Sequence, residues 1–176
     1  MKPTKEMSQV ELAAFVQDHL WAQGIEVVLS GGAVAGFYSR DTYVSKDIDL
    51  INIKFTERRE IEDFMNEINF KPVGRHFEHP DTDQVIEFPP GPLSVGSEKI
   101  NNYQEISLTT GKLRVLSPTD CVKDRLSHYF HRGDLQCLEQ AKWVAANHAI
   151  ELEEIREWAV SEGKEEEFNN IQDLLE

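Results

Sequence analysis

Val27-Val28-Leu29-Ser30-Gly31-Gly32-Ala33-Val34, followed fifteen residues beyond Gly32 by Asp47-Ile48-Asp49-Leu50, is the stretch on which the fold turns. Ile25 to Leu29 is short and rich in β-branched residues, the mark of a buried strand. Ser30-Gly31-Gly32 is a turn, and Ala33 to Tyr38 continues as a short helix. The glycines let backbone approach a ligand closely. The helix start offers unpaired N–H groups and the positive end of a dipole, which together suit phosphate. Asp47 and Asp49 are two apart in a strand spanning residues 47–53, so both carboxylates project to one face while Ile48 and Leu50 face the core.

Neighbouring carboxylates repel, and both stay ionised at little cost only beside a cation. Oxygen ligands of this kind suit Mg²⁺ or Mn²⁺. A third acid fits the same scheme. Val85-Ile86-Glu87-Phe88 puts Glu87 inside an apolar strand, where it is costly without a partner. An adjacent strand carrying the aspartate pair would provide that partner through a shared metal.

Working outward, Ser8 and Glu11 form a capping-box pattern ahead of Leu12, Phe15, Val16 and Leu20 at helical spacing. This predicts a helix from Ser8 to Ala22, stopped at Gly24. Thr56 is expected to cap a second helix carrying Ile61, Phe64, Met65 and Ile68. Phe70 to Phe77 and Gln84 to Phe88 read as strands. Pro89-Pro90-Gly91-Pro92 must be a loop, because proline cannot donate to a ladder. Gln104 to Leu108 and Leu113 to Leu116 flank a hairpin turn. At Ser117 the character changes. Ser117 is a helix cap, Pro118 takes the first helical position and Asp120 adds charge to the first turn. From there to Glu176 the pattern is helical, with breaks at Gly133, around His148 to Glu151, and at Gly163. The expected division is an α/β core over 1–116 and a helical lobe over 117–176 packed on it.

The 176 residues suit one domain with an appended lobe. Hydrophobic residues at 40% and charged residues at 28% are ordinary for a soluble globular protein. No apolar run is long enough for a bilayer, and the N-terminus lacks the apolar core of a signal peptide. Cys121 and Cys137 lack metal or redox spacing, which favours a reducing cytosol. The net charge is −14, and residues 151–176 hold ten Asp+Glu against Arg156 and Lys164. Such a chain repels nucleic acid at long range, so bulk DNA binding is not expected.

Ser30-Gly31-Gly32, then Asp47 and Asp49, then a lone acid in a later apolar strand resemble the polymerase-beta-type nucleotidyltransferase superfamily. More narrowly, Gly31-Gly32-Ala33, Arg40, Ser45 and Asp47-Ile48-Asp49-Leu50 resemble its small bacterial members. These include minimal nucleotidyltransferases and toxin-like proteins of abortive-infection systems. Leu116 to Asp120 with Lys123, Arg125 and Arg132 resembles the helix that follows in that group. The likeness covers roughly residues 25–140. It implies an α+β fold with a mixed sheet flanked by helices. It also implies Mg²⁺- or Mn²⁺-dependent transfer of a nucleoside monophosphate from a nucleoside triphosphate to a hydroxyl of a small molecule, RNA end or protein. In that scheme Asp47, Asp49 and Glu87 hold metal and carry catalysis. Ser30, Gly31, Gly32, Arg40, Lys46, Lys123, Arg125 and Arg132 bind nucleotide and phosphate. Many active members have Gly-Ser where this chain has Gly31-Gly32. Either Ser30 substitutes for the missing hydroxyl or that contact is unmade.

Cys121, Arg125, His128 and Arg132 share one helical face, a positive stripe suited to triphosphate oxygens; the competing reading pairs the arginines with the acidic C-terminal helices. His76 and His79 read as part of a polar loop, and Trp21, Trp143 and Trp158 as core anchors. Two other functions compete with the enzyme. One is a catalytically silent module that binds nucleotide or a partner protein, as in a toxin–antitoxin-like pair. The other is a phosphohydrolase, for which the usual histidine-aspartate clusters are missing.

Overall fold

The computed structural model describes residues 3, 5–40 and 42–176. Helix α1 spans Gln9–Trp21 behind an intact capping box, in which the Ser8 amide donates to Glu11 Oε2 at 2.9 Å. Strand β1 (Val27–Ser30) is buried at every position, as befits a central strand covered on both faces. Helix α2 (Gly31–Tyr38) begins at the next residue. Strand β2 (Asp47–Asn52) alternates half-buried and buried residues, with the aspartates on the more open face.

Next come α3 (Arg58–Glu67), β3 (Lys71–Val73), β4 (His76–His79) and β5 (Thr82–Glu87). A small hairpin of β6 (Ser94–Val95) and β7 (Glu98–Lys99) follows, and then the hairpin β8 (Gln104–Leu108) and β9 (Gly111–Val115). The chain closes with α4 (Pro118–Arg132), α5 (Leu135–Asn147), α6 (Leu152–Ser161), α7 (Glu165–Asn169) and a final turn of 3₁₀ helix.

Seven strands form one mixed sheet in the order β3-β4-β5-β2-β1-β9-β8. β1 runs antiparallel to β2 and parallel to β9, while β2 runs parallel to β5. The expected α+β fold, a mixed sheet flanked by helices, is therefore present. Helix α1 packs on β9 and α2, and α4 and α5 pack on α2. One apolar cluster includes Leu12, Val28, Leu50, Val122 and Trp158, so it extends to both sides of residue 116. Truncating one such buried leucine to alanine costs about 2–5 kcal/mol.

Helix α4 starts as its sequence dictates. The Ser117 side chain accepts from the Asp120 amide, Pro118 occupies the first turn, and Gly133 ends the helix in the left-handed region. Four local expectations need correction. Thr56 does not cap α3. Instead the Asn52 side chain brackets it, accepting from the Thr56 amide at 3.1 Å and donating to its carbonyl at 2.8 Å. The strand expected over Phe70 to Phe77 is two strands, divided by a turn at Gly74 with φ 60°. His76 and His79 lie in β4 and not in a loop. Trp21 is 40% exposed, and its ring is covered by the Arg114 guanidinium 3.5 Å from the centroid. That stacking holds the ring without burying it.

Candidate active site

Three adjacent strands bring one polar row together. Asp49 of β2 pairs with Ser30 of β1 on one side and with Glu87 of β5 on the other. Asp47 pairs with Val85, so Asp47, Asp49 and Glu87 share a sheet face. The register follows from β5 lying parallel to β2, with Ile48 and Ile86 paired and buried beneath the row.

Ser30 to Gly32 then turn the chain from β1 into α2 over that row. Gly31 has φ +72°, and a Cβ built on it would lie 2.6 Å from Asp49 Oδ2. A side chain there would be both strained and in collision with the carboxylate. Gly32 is as tight, its built Cβ falling 2.6 Å from Ser45 Oγ. The two glycines thus let the helix start sit directly on the aspartate pair. Ser30 is 7% exposed, gives no capping bond to α2, and its hydroxyl has no hydrogen-bond partner among the described residues.

A cleft of about 360 Å³ opens over this turn, lined by Ser30, Gly31, Gly32, Asp47, Asp49 and Arg125 among others. The Asp49 carboxylate accepts no hydrogen bond and makes no ion pair among the described residues. Burial pushes its carboxyl up to about 6, and the charges of Asp47 and Glu87 add to that rise. Arg125, 7% exposed, opposes it from α4. Arg125 itself is held by Asp124, with Nε donating to Oδ2 at 3.0 Å, and by Gln140, to which Nη1 donates at 3.3 Å. Burial works against its charge, and the Asp124 carboxylate outweighs that.

Glu87 stands in register with Asp49, yet its Oε1 takes Arg75 Nε at 3.3 Å, and its side chain does not line the cleft. Among the described residues no three His, Cys, Asp or Glu side chains are gathered closely enough to hold a metal ion. The remaining expected phosphate contacts divide. Arg125 lines the cleft, paired with Asp124 rather than with the C-terminal helices. Lys123 is fully buried elsewhere on α4, with Nζ 3.1 Å from Glu98, 2.6 Å from Glu154 and 3.6 Å from Asp120. Arg40, at φ 53°, Lys46 and Arg132 are exposed and lie outside the cleft lining.

Sequence reading passes over Asp124, Tyr43 and Ser94, all of which line the cleft. Asp124 is findable as the acid beside Arg125 on a helix that the resemblance places against the nucleotide. Ser94 has no local signal, since it comes from the small hairpin after the proline loop. His128 also lines the cleft, and burial followed by the Arg125 charge lowers its pKa, favouring a neutral imidazole.

The mixed sheet flanked by helices is the nucleotidyltransferase fold. Solved structures agree with that assignment. An antigenic nucleotidyltransferase-like protein from Paracoccidioides brasiliensis superposes with TM-score 0.63 at 14% identity, covering 98% of this chain and 94% of that one. ANT(2'')-Ia in complex with adenylyl-2''-tobramycin superposes with TM-score 0.58 at 16% identity, covering 89% and 98%. The solution structure of antibiotic-resistance factor ANT(2'')-Ia gives 0.53 at 13% identity, covering 96% of each chain. No protein-family model and no curated protein matches the sequence.

Proposed function

We propose that this protein is a nucleotidyltransferase that moves a nucleoside monophosphate from a nucleoside triphosphate to a hydroxyl of a small molecule. The observation that carries the reading is Asp49. It is a half-buried carboxylate with no hydrogen-bond donor, crowded by two further acids and seated against the start of α2. Such crowding is relieved by a divalent cation, and carboxylate oxygens suit Mg²⁺ or Mn²⁺. Asp47 and Asp49 would hold it, with Glu87 as a third ligand once free of Arg75. When bound, the cation would supply charge neutralisation and Lewis acidity at the phosphates.

The chain's own groups cover the remaining needs. The Ser30 hydroxyl and the first N–H groups of α2 would donate to phosphate oxygens. Arg125 would offset negative charge from the opposite wall, while Arg40, Lys46 and Arg132 would act only at the rim. The acceptor oxygen would attack the α-phosphorus as the bond to pyrophosphate breaks, and the acceptor's proton would pass to Glu87 once that carboxylate turns from Arg75 into the cleft. The segment 117–176 serves as the lobe that closes one side of the cleft. A small acceptor is favoured over an RNA end because a charge of −14 repels polyanions. The adenylyl-2''-tobramycin bound by ANT(2'')-Ia is a small molecule that already carries the transferred nucleotide, which supports an acceptor of this class. Two free cysteines fit a reducing cytoplasm, and no helix among the described residues is long and apolar enough to cross a membrane.

The test is incubation with Mg²⁺ and each α-labelled nucleoside triphosphate against a panel of hydroxylated small molecules. Wild type should release pyrophosphate and label an acceptor, and Asp49→Asn should do neither. Equal behaviour of the two proteins would end the proposal.

A further inference from the structure

Ser45 belongs to no secondary-structure element, yet it is one of the most constrained residues of the cleft. Its Oγ donates to Asp47 Oδ1 at 3.2 Å. The same atom sits 2.6 Å from the point a Cβ on Gly32 would occupy, so the hydroxyl fills the space left by the missing side chain. Its backbone is clamped on both sides by one amide from α1. Gln9 Oε1 accepts from the Ser45 N–H at 3.2 Å, and Gln9 Nε2 donates to the Ser45 carbonyl at 3.1 Å. Residues 36 apart in sequence are tied by that pair of bonds.

We propose that Ser45, held by Gln9, is the positioning residue that fixes the Asp47 carboxylate for cation binding. The inference rests on the divalent-cation reading of the aspartate pair given above. The physical argument is one of rotamers. Asp47 is half-buried and sits at the first position of β2, where the strand's own hydrogen bonds fix its backbone and not its side chain. A carboxylate that must hold a cation gains affinity when a neighbouring donor has already fixed its orientation. The only donor to Asp47 among the described residues is Ser45 Oγ. That hydroxyl is useful only if its own backbone is fixed, and Gln9 fixes it. Gly32 completes the arrangement, since a side chain there would drive the hydroxyl away from Asp47. The N-terminal helix, which contributes no side chain to the aspartate row, thereby acts on the site.

The experiment is calorimetric titration of Mn²⁺ alone into the full chain at pH 7.5, for wild type, Ser45→Ala, Gln9→Ala and the double variant Ser45→Ala/Gly32→Ser. Loss of an outer-shell partner of a metal ligand costs about 10–100-fold in affinity. Ser45→Ala should fall in that range and Gln9→Ala should fall several-fold. Both should keep a thermal midpoint close to wild type without metal. The double variant returns a hydroxyl to the same space from the other side and should recover most of the lost affinity. A purely structural role for Ser45 would show no such recovery. Ser45→Ala binding Mn²⁺ as tightly as wild type overturns the positioning role while leaving the proposed function standing. A loss that Gly32→Ser does not recover overturns the positioning role as well. Wild type that binds no Mn²⁺ overturns both.

Discussion

Two groups of three carboxylates are built on opposite electrostatic terms. In one, Glu98, Asp120 and Glu154 surround the buried ammonium of Lys123 at 3.1, 3.6 and 2.6 Å. In the other, Asp47, Asp49 and Glu87 share a sheet face; Arg125, which acts on Asp49, is already engaged by Asp124, and Arg75 pairs with Glu87. Lys123 and Arg125 are two residues apart, about 200° around a helix, so one helix serves both groups from different sides. The first group carries a buried counter-charge of its own, held by all three carboxylates. The second leaves Asp49 without a donor and raises its pKa to about 6. Acids alone do not mark a site; acids left without a counter-charge beside a helix start do.

That contrast can be broken by substitution. The largest effect is expected on catalysis. Asp49→Asn should lower nucleotidyl transfer by about 10³-fold or more, equivalent to about 4 kcal/mol. Release of labelled pyrophosphate measures it, and a fold-change near one would contradict the account. Lys123→Met should act on stability instead. It strands buried carboxylate charge, which costs about 3 kcal/mol at the low end for such clusters, because Glu98 and Glu154 are half exposed and screened. A thermal midpoint lower by about 6–12 °C is expected, with Mn²⁺ affinity retained in the folded fraction. Loss of Mn²⁺ affinity in this variant would merge the two groups into one.

Gly31→Ala sharpens the comparison from the backbone side. At φ +72° an alanine costs about 1–2 kcal/mol, and its Cβ would fall 2.6 Å from Asp49 Oδ2. Both the midpoint and Mn²⁺ affinity should drop, whereas Gly133→Ala, at a similar φ in open space, should lower the midpoint alone. Equal Mn²⁺ affinities in the two variants would show that the closeness of Gly31 to Asp49 has no role.

Much of the fold is legible in the sequence because its signals are local. The capping box at Ser8, the cap and proline at Ser117 and Pro118, and the apolar strand before the glycine turn each act within a few residues. The aspartate pair is legible for the same reason, since period-two geometry places Asp47 and Asp49 on one face. What escapes depends on tertiary placement. Lys123 and Arg125 both read as basic residues of one helix, and only packing assigns them to different sides. Glu87 reads as a ligand from its strand, but Arg75 reaches it across the β4–β5 hairpin. Thr56 has cap chemistry, yet Asn52 captures its backbone first. Ser45 and Gln9 meet through side chain-to-backbone bonds that leave no sequence pattern.

The most direct measurement of the central claim is the thermal midpoint of wild type and Asp49→Asn at pH 7.5 and pH 4, with EDTA and with Mn²⁺. The Asp49 carboxyl binds its proton more tightly in the folded chain than in the unfolded one. Its contribution is therefore fully present below about pH 4 and lost as pH rises through about 6, leaving an ionised, crowded carboxylate at neutral pH. In EDTA at pH 7.5 the Asp49→Asn variant, which lacks that charge, should be the more stable by about 1–2 kcal/mol after allowance for solvent screening, and the gain should vanish at pH 4. With Mn²⁺ at pH 7.5 the order should reverse, because only wild type gains from the cation. If the two midpoints keep the same order with and without Mn²⁺, the acidic row is not a cation site and the account fails.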